Sequence, residues 1–578
     1  MAEENPFFKI VHLIDDKVSS FFKKKWAPFV IWPAFIAILY ALFFIFSYKQ
    51  GTYDDDIGFR SQGAMKTFFV LEAIFAIFVI AYMVIWGIAK RLTRERVALS
   101  FFLLASLIVM GFGLCRIYND NAYTHDFSVY SEGGHWAVIY DIYKTGKIPP
   151  ADLTNQYYQP KLYHALIAFF MRFNSLLWPH FSGSEAVLEV AARKEHFAEF
   201  SLFDYTVFES GRIFLIAQGI ITLYFIYRVI CDFPLKNKAS NIASFIIFFT
   251  PVMWFITYYK NNDSLAFLFM MAALHSAYTH YKKRDFVSII LTAICIGLGM
   301  EAKLSAAVVA FPVAFIFLIE LLGMYRKGNI APKEVQLKFY LQIGLFALIV
   351  FPLGLGGAIL MKVKYGIPIG YVWDLIGQYG TGYFMYIDPN IYSTFNRVAL
   401  FPSPDLFWDV FNVRYHFVYE GRIRHVDNSW GNIDFNIWTA FIKTGLWSEA
   451  KLTTHEPFSV IIAKNPGFKN IFTVIYALAI GIGFLFLIGS IYFIVKRIIF
   501  LIMKKERSDP FFFYLIPVIF VSAALAYALF SIKYPVGCTM NARYAMILYI
   551  PIGVVAGAFI NEMWELIKKL FAKKKRPE

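Results

Sequence analysis

The stretch NIFTVIYALAIGIGFLFLIGSIYFIV, residues 470–495, runs for 26 residues without a charged side chain. A helix needs about 20 mostly apolar residues to cross the roughly 30 Å hydrocarbon core of a bilayer. This stretch is therefore predicted to span a membrane. Eleven further segments have a similar character, and the twelve predicted spans are 27–48, 67–89, 97–117, 211–231, 240–258, 264–281, 286–300, 304–323, 338–361, 470–495, 511–531 and 543–563.

The composition of the whole chain supports this prediction. Of its 578 residues 58% are hydrophobic and 16% are charged, against about 45–50% and about 25% in soluble domains. Those proportions exclude a soluble globular protein and a disordered chain. Four cysteines are too few for a disulfide framework. The expected fold is an all-α polytopic membrane protein with about twelve transmembrane helices and two long non-cytoplasmic loops that carry interfacial helices.

Basic residues indicate which side each loop occupies. With twelve spans, every Lys and Arg cluster falls on the same side, from Lys23–Lys25 to the tail 573–576. The positive-inside rule assigns that side, and both termini, to the cytoplasm. The basic runs at both ends predict contacts with anionic membrane lipids and not with nucleic acid. The predicted location is multi-pass in a bacterial plasma membrane.

The predicted spans divide the chain into five segments. They are a cytoplasmic N-terminus with three spans (1–117), a first outer loop with interfacial helices (118–210), a six-span membrane core (211–361), a second long outer loop (362–469), and three C-terminal spans with a basic cytoplasmic tail (470–578). The charged residues of 301–303 predict a break between two spans, because a charge within the bilayer costs roughly 2.5–3.5 kcal/mol. The polar run 258–263 predicts a second break.

The first outer loop is dense in groups that carry chemistry. It contains Asp120, His125 and Asp126 just beyond a predicted span. A carboxylate there suits general-base catalysis on a substrate that enters from outside the cell. The alternative is that these side chains are solvated or hydrogen-bonded within the loop.

Several motifs in this order resemble the GT-C glycosyltransferases, the polytopic enzymes related to protein O-mannosyltransferases and aminoarabinose lipid A transferases. The resemblance depends on His125-Asp126, Gly134-His135, Gly146-x-x-Pro149, Tyr157-x-x-Pro160-x-Leu162-x-His164, Asn262-Asp263-x-Leu265, Gly297-Leu298-x₄-Lys303-x-Ser305 and Arg543-Tyr544. A weaker similarity covers Lys443-Thr444-x-Leu446-x-x-Glu449. All of these motifs fall at the predicted outer face.

The resemblance implies a hexosyl- or pentosyltransferase that uses a polyprenyl- or dolichyl-phosphate sugar. The acceptor would be a lipid, a glycan or a protein. In such enzymes an acidic residue of the first outer loop acts as base, usually in a single inverting displacement. Asp126 matches that position best and Asp120 competes with it. Many relatives carry a second acidic residue beside the first, where this chain has His125.

Positive charge near the outer boundary predicts the donor-phosphate site. The leaving lipid phosphate keeps its negative charge, so a fixed cation aimed at it stabilises the transition state. Lys303 and Arg543, with Tyr544 beside it, are the candidates. Each cation could instead snorkel or form an ion pair, as Lys303 would with Glu301.

Other polar residues of the outer loops are candidates for binding substrate. They are His135, Tyr158, His164, Asn262, Asp263, Glu301 and Trp430. Helix capping by Asn262 or Asp263 and structural roles for the histidines are the alternatives. The histidine spacing fits no compact metal motif, so no cofactor is predicted. A divalent metal ion is the alternative.

Two other functional classes remain open from the sequence. Twelve spans with both ends inside are also typical of a secondary transporter or a flippase for a glycan or lipid-linked substrate. Against a transporter, the halves show no repeat and the polar residues lie at one face. A non-catalytic membrane partner or scaffold is the third class.

Overall fold

The structure is a computed structural model. It describes residues 62–88, 92–115, 135–151, 157–177, 202–255, 261–325, 330–372, 393–399, 404–408, 436–447, 466–503, 510–534 and 537–574. Within these ranges every regular element is a helix, which confirms the all-α class.

Seventeen α-helices and three 3₁₀ helices lie in the described ranges. The α-helices are α1 Gln62–Ile88, α2 Arg94–Cys115, α3 His135–Thr145, α4 Leu162–Leu177, α5 Leu202–Asp232, α6 Asn237–Phe248, α7 Val252–Phe255, α8 Asn262–Lys283, α9 Phe286–Ala302, α10 Ala310–Met324, α11 Lys333–Tyr365, α12 Thr394–Ala399, α13 Pro404–Trp408, α14 Ile437–Trp447, α15 Pro466–Ile502, α16 Pro510–Lys533 and α17 Tyr549–Lys574. The 3₁₀ helices are Leu304–Val309, Gly537–Met540 and Ala542–Leu548.

Seven helical segments in the described part are long and apolar enough to cross a membrane. They are Val70–Ile88, Ile213–Asp232, Leu304–Met324, Lys333–Tyr365, Asn470–Phe500, Leu515–Lys533 and Ala542–Phe571. A polytopic membrane protein is therefore confirmed, while the count of twelve stays a prediction. The predicted span 27–48 lies outside the described residues.

Four other predicted spans form helices that fall outside these seven. The segment 240–258 is divided between α6 and the single turn of α7, and α9 has 17 residues. Helix α2 begins with Arg94, Glu95 and Arg96. Helix α8 buries polar side chains among its neighbours, including His280. Short or polar helices of this kind gain their stability from packing against other helices more than from lipid.

The chain divides into two compact units. The first comprises 1–118 and 170–217, and the second comprises 119–169 and 218–578. In the first, α1 packs against α2. In the second, α8 and α11 both pack against α9, while α6 and α15 both pack against α17. All described candidate site residues belong to the second unit.

Both predicted helix breaks are present, and both bring polar residues to helix ends. Helix α9 ends at Ala302, and Lys303 takes an extended conformation with φ −159° and ψ 128° before the 3₁₀ helix Leu304–Val309. The second break ends at Asn261, which caps α8. Helices α3 and α4 lie within the predicted first outer loop, whereas α5 begins at Leu202, before the predicted boundary at 211.

A glycine allows α6 and α17 to approach closely. A Cβ atom at Gly557 would lie 2.7 Å from the carbonyl oxygen of Ala239 and 2.8 Å from the backbone nitrogen of Ala243. Both atoms belong to the backbone of α6, so a side-chain rotation cannot relieve the clash. The packing of these helices therefore depends on the absence of a side chain here.

Gly557→Ala is expected to destabilise the protein by about 1–3 kcal/mol, the usual cost of overpacking. Gly344→Ala is the matched control, because no atom lies within 4 Å of a Cβ built there in α11. The control is expected to be neutral or up to about 1 kcal/mol more stable, since alanine favours helix more than glycine does. Thermal unfolding of the purified protein in detergent measures both changes. Equal unfolding temperatures for the two variants would contradict the close approach.

Candidate active site

The site is built around a carboxylate at the start of α8. The side chain of Asn261 accepts a hydrogen bond from the backbone N–H of Asp263 at 2.9 Å, which caps the helix. An acidic group in the first turn is favoured by the helix dipole. Asp263 is 4% exposed, so its carboxylate lies almost entirely away from water. A buried carboxylate of this kind requires charged partners.

Two cations are the charged partners of Asp263. Lys303 Nζ lies 2.6 Å from Asp263 Oδ1, and Arg543 Nε lies 3.8 Å from Asp263 Oδ2. We call Asp263, Lys303 and Arg543 the ion cluster. Its three members come from the start of α8, the break after α9 and the 3₁₀ helix Ala542–Leu548. All three side chains are mostly buried, with Lys303 18% and Arg543 11% exposed.

Tyr544 holds the two cations from one side. The Arg543 guanidinium donates a hydrogen bond from Nη2 to the Tyr544 hydroxyl at 2.9 Å. Lys303 Nζ lies 4.8 Å from the centroid of the Tyr544 ring, and Arg543 Cζ lies 5.0 Å from it. A ring face attracts cations at these distances. Tyr544 therefore helps to fix both cations without neutralising either.

Asn262 joins the ion cluster to the segment that follows α3. Its amide Nδ2 donates to the side-chain oxygen of Gln159 and, at 3.1 Å, to the carbonyl oxygen of Ala302. Gln159 in turn donates to the Tyr158 hydroxyl at 3.3 Å, and the Tyr158 ring meets Tyr371 edge-on at 5.1 Å. Sequence reasoning missed Gln159, although it lies inside the Tyr157-x-x-Pro160 motif.

His135 and His164 form a buried pair. His135 Nδ1 lies 2.9 Å from His164 Nε2, and the rings stack at 5.1 Å with an interplanar angle of 27°. Burial, followed by the charges of Lys303, Arg543 and Lys161, holds the pKa of His135 well below its usual value. Burial and the neighbours His135 and Lys161 lower the pKa of His164 in the same way. Both rings are therefore neutral, and one donates to the other.

Lys161 is a third cation in this region that sequence reasoning missed. It is 7% exposed, and its Nζ donates to the carbonyl oxygen of Tyr157 at 2.5 Å. Burial lowers the pKa of Lys161 to about 7. Its place in the Tyr157–His164 motif was the available signal, but the burial of its side chain was not readable from the sequence.

This pKa predicts a pH dependence of stability. Between pH 7 and about 10.5 the unfolded chain holds a proton on Lys161 that the folded chain has released, so wild-type stability rises with pH by up to about 1.4 kcal/mol per unit. Below pH 7 both states hold the proton. Lys161→Met is expected to remove this slope. The variant should be more stable than wild type by the largest margin at pH 7 and below, and this margin should shrink towards pH 10. Unfolding temperatures of both proteins across that range measure it, and parallel curves would contradict the prediction.

The remaining candidates divide into two groups. Asp120, His125, Asp126 and Trp430 lie outside the described residues, and their roles stay predictions. The side chain of Glu301 accepts a hydrogen bond from the backbone N–H of Gly357 in α11 at 3.2 Å. Among the described residues Lys303 forms its ion pair with Asp263. The carboxylate of Glu301 points towards α11 instead. Among the described residues no group of three His, Cys, Asp or Glu side chains is arranged to hold a metal ion.

A family comparison bears on this arrangement. Residues 199–354 match the family model described as dolichyl-phosphate-mannose-protein mannosyltransferase. The resemblance to the GT-C membrane glycosyltransferases is confirmed.

The segment that matches the GT-C model extends from α5 into α11 and contains Asn262, Asp263, Glu301 and Lys303. Arg543 and Tyr544 lie outside it and reach the same place through the fold. No curated protein and no solved structure matches the chain. The long apolar helices indicate a protein embedded in a membrane, and residues 199–354 are similar to a family of membrane glycosyltransferases.

Proposed function

We propose that the protein transfers a sugar from a polyprenyl- or dolichyl-phosphate donor to an acceptor hydroxyl at the non-cytoplasmic face of the membrane. The transfer would invert the configuration of the sugar, with Asp126 as general base and Asp120 as the competing candidate. The acceptor would be a lipid, a glycan or a protein. The family match supports the donor class, because the matching model is named for enzymes that use dolichyl-phosphate mannose.

The observation that carries the proposal is the meeting of two basic side chains, Lys303 and Arg543, in one mostly buried place. Both lie beside the carboxylate of Asp263, whose Oδ2 accepts no hydrogen bond from any described residue. Lys161 adds a third basic group nearby and the histidine pair adds no negative charge. Basic side chains held together in this way can bind a phosphate through charge-assisted hydrogen bonds, and the donor carries such a phosphate.

The proposed reaction balances as a single displacement. The base takes the proton of the acceptor hydroxyl, whose oxygen forms a bond to the anomeric carbon of the sugar. The bond from that carbon to the phosphate oxygen breaks, and the lipid phosphate leaves with its electron pair. Lys303 and Arg543 face the charge that grows on the phosphate, and fixed cations in a dry site stabilise such a transition state most effectively.

The sidedness of the site follows from the basic residues. Asp263, Lys303 and Arg543 lie at helix ends that the positive-inside rule assigns to the non-cytoplasmic side. Helix α8 begins at Asn262 and ends with His280, Lys282 and Lys283 in its last turn, which fits this orientation. Both termini would then be cytoplasmic, as in a bacterial plasma membrane.

Donor turnover separates this proposal from a transporter or a flippase. The purified protein in lipid, given dolichyl-phosphate mannose, is expected to release dolichyl phosphate slowly without acceptor. Release should increase when an acceptor extract is added. Mass spectrometry of the lipid fraction follows the reaction. Movement of the donor across sealed vesicles with no cleavage would overturn the proposal and favour a flippase.

A further inference from the structure

Helix α14 packs against the 3₁₀ helix that carries Arg543, and the two are far apart in sequence. The side chain of Asn436 caps α14 by accepting hydrogen bonds from the backbone N–H groups of Trp438 at 2.9 Å and Thr439 at 3.1 Å. Lys443 and Thr444, further along the helix, have 0% exposure. This depth of burial places α14 inside the second unit and not on its surface.

Thr444 makes two hydrogen bonds at once. Its hydroxyl donates to the carbonyl oxygen of Ala440, one turn earlier, at 2.7 Å. The same oxygen accepts from the backbone N–H of Ala542 at 2.9 Å. Ala542 directly precedes Arg543, so this bond crosses from α14 to the residue beside the cation.

The first backbone N–H groups of a helix have no acceptor within it. Here Ala542 donates to Thr444, and Arg543 donates to the side-chain oxygen of Asn541 at 2.8 Å. Asn541 is the cap of the 3₁₀ helix Ala542–Leu548 itself, whereas Thr444 belongs to a different element, α14. Thr444 therefore fixes the position of this 3₁₀ helix relative to α14, and Asn541 fixes the local conformation at its start.

Aromatic side chains hold α14 against both ends of the same 3₁₀ helix, one by stacking and one by hydrogen bonds. Phe441 stacks on Tyr549 with centroids 4.8 Å apart and an interplanar angle of 19°. The Tyr527 hydroxyl lies 2.9 Å from the carbonyl oxygen of Ile437 and 2.5 Å from that of Met540. Since Met540 and Tyr549 flank the 3₁₀ helix Ala542–Leu548, α14 is held against both ends of that 3₁₀ helix.

We propose that Thr444 is a positioning residue that sets the place of the Arg543 guanidinium, and through it the donor-phosphate site. This inference depends on the proposed function for its catalytic consequence. It acts through the Ala542 backbone, because Thr444 is bonded to the residue next to Arg543. A displacement of about 1 Å at a catalytic group can cost about 10²-fold in rate.

Thr444→Val keeps the shape of the side chain and removes the hydroxyl. The turnover number with dolichyl-phosphate mannose is expected to fall by about 10- to 100-fold, and binding of dolichyl phosphate in native mass spectrometry should weaken. Thr444→Ser keeps the oxygen and should restore both. Thr292→Val is the matched control, because Thr292 is equally buried and makes the same one-turn bond, to Ser288 at 2.7 Å.

Hydrogen exchange at the amides of 541–548 is the readout that needs no activity. Exchange should be faster in Thr444→Val and unchanged in Thr444→Ser and Thr292→Val. Unchanged exchange in Thr444→Val would overturn the inference. So would a loss of turnover and binding in Thr444→Ser or Thr292→Val as large as that in Thr444→Val. If wild type bound dolichyl phosphate without turning over the donor, the proposed function would fail while exchange and binding would still decide the role of Thr444.

Discussion

Asp126→Asn is expected to lower the turnover number by about 10²–10⁴-fold, the usual contribution of a general base. Asparagine has the shape of aspartate but cannot take a proton from the acceptor hydroxyl. Donor binding should change little, because the proposed phosphate ligands are Lys303 and Arg543. Initial rates with dolichyl-phosphate mannose and an acceptor extract measure the loss, and native mass spectrometry with dolichyl phosphate measures the binding.

Asp120→Asn is the matched control for this prediction, since it removes the other acidic candidate of the same loop. Turnover within a few fold of wild type is expected for it. Both variants should unfold at the wild-type temperature, which separates a chemical role from a folding defect. The opposite pattern, with Asp120→Asn inactive and Asp126→Asn active, would move the base to Asp120.

Lys303→Met is expected to lower the turnover number by about 10²–10³-fold, the typical cost of removing one electrostatic group from a transition-state site. Methionine fills a similar volume without the charge. The variant also leaves Asp263 Oδ1 without its partner at 2.6 Å. Asp263 is 4% exposed, so the loss of this partner leaves a buried charge uncompensated and destabilises the protein. A lower unfolding temperature is therefore expected as well.

The double variant Lys303→Met/Asp263→Asn separates the two effects. Removing both charges should recover much of the stability, because the uncompensated carboxylate is gone, and should leave turnover low. Lys333→Met, at the exposed start of α11, is the surface control and should behave as wild type. Recovered turnover in the double variant would show that Lys303 serves only to pair with Asp263, and the donor-phosphate role would be withdrawn.

The sequence predicted the ion cluster in part. The cost of a charge within the bilayer predicted the break at Lys303. The twelve spans and the positive-inside rule predicted that Lys303 and Arg543 lie at one face. The structure adds their convergence on Asp263, which no local pattern specifies. Pairing with Glu301, two residues away, was the alternative considered for Lys303, but the Glu301 carboxylate accepts instead from the backbone N–H of Gly357.

The residues that were missed have a common physical reason. Gln159 and Thr444 form hydrogen bonds with residues about a hundred positions away, and Lys161 is buried by the fold. Spacing within a segment carries no information about such contacts or about burial. Thr444 lies 98 residues from the backbone N–H of Ala542, which donates to it. Hydropathy, by contrast, depends on the local sequence alone, and for this reason the long apolar spans were predicted well and the short buried helices such as α6 and α9 were not distinguished from them.

The histidine pair has a consequence for how the charge of the site responds to pH. Imidazole is the side chain that ordinarily gains charge when surroundings become mildly acidic. Here burial and then the neighbouring cations lower the pKa of His135, and burial lowers that of His164. These two rings therefore add no charge to the site as the medium changes from neutral to weakly acidic. A change of charge over this range comes instead from Lys161, whose pKa is about 7.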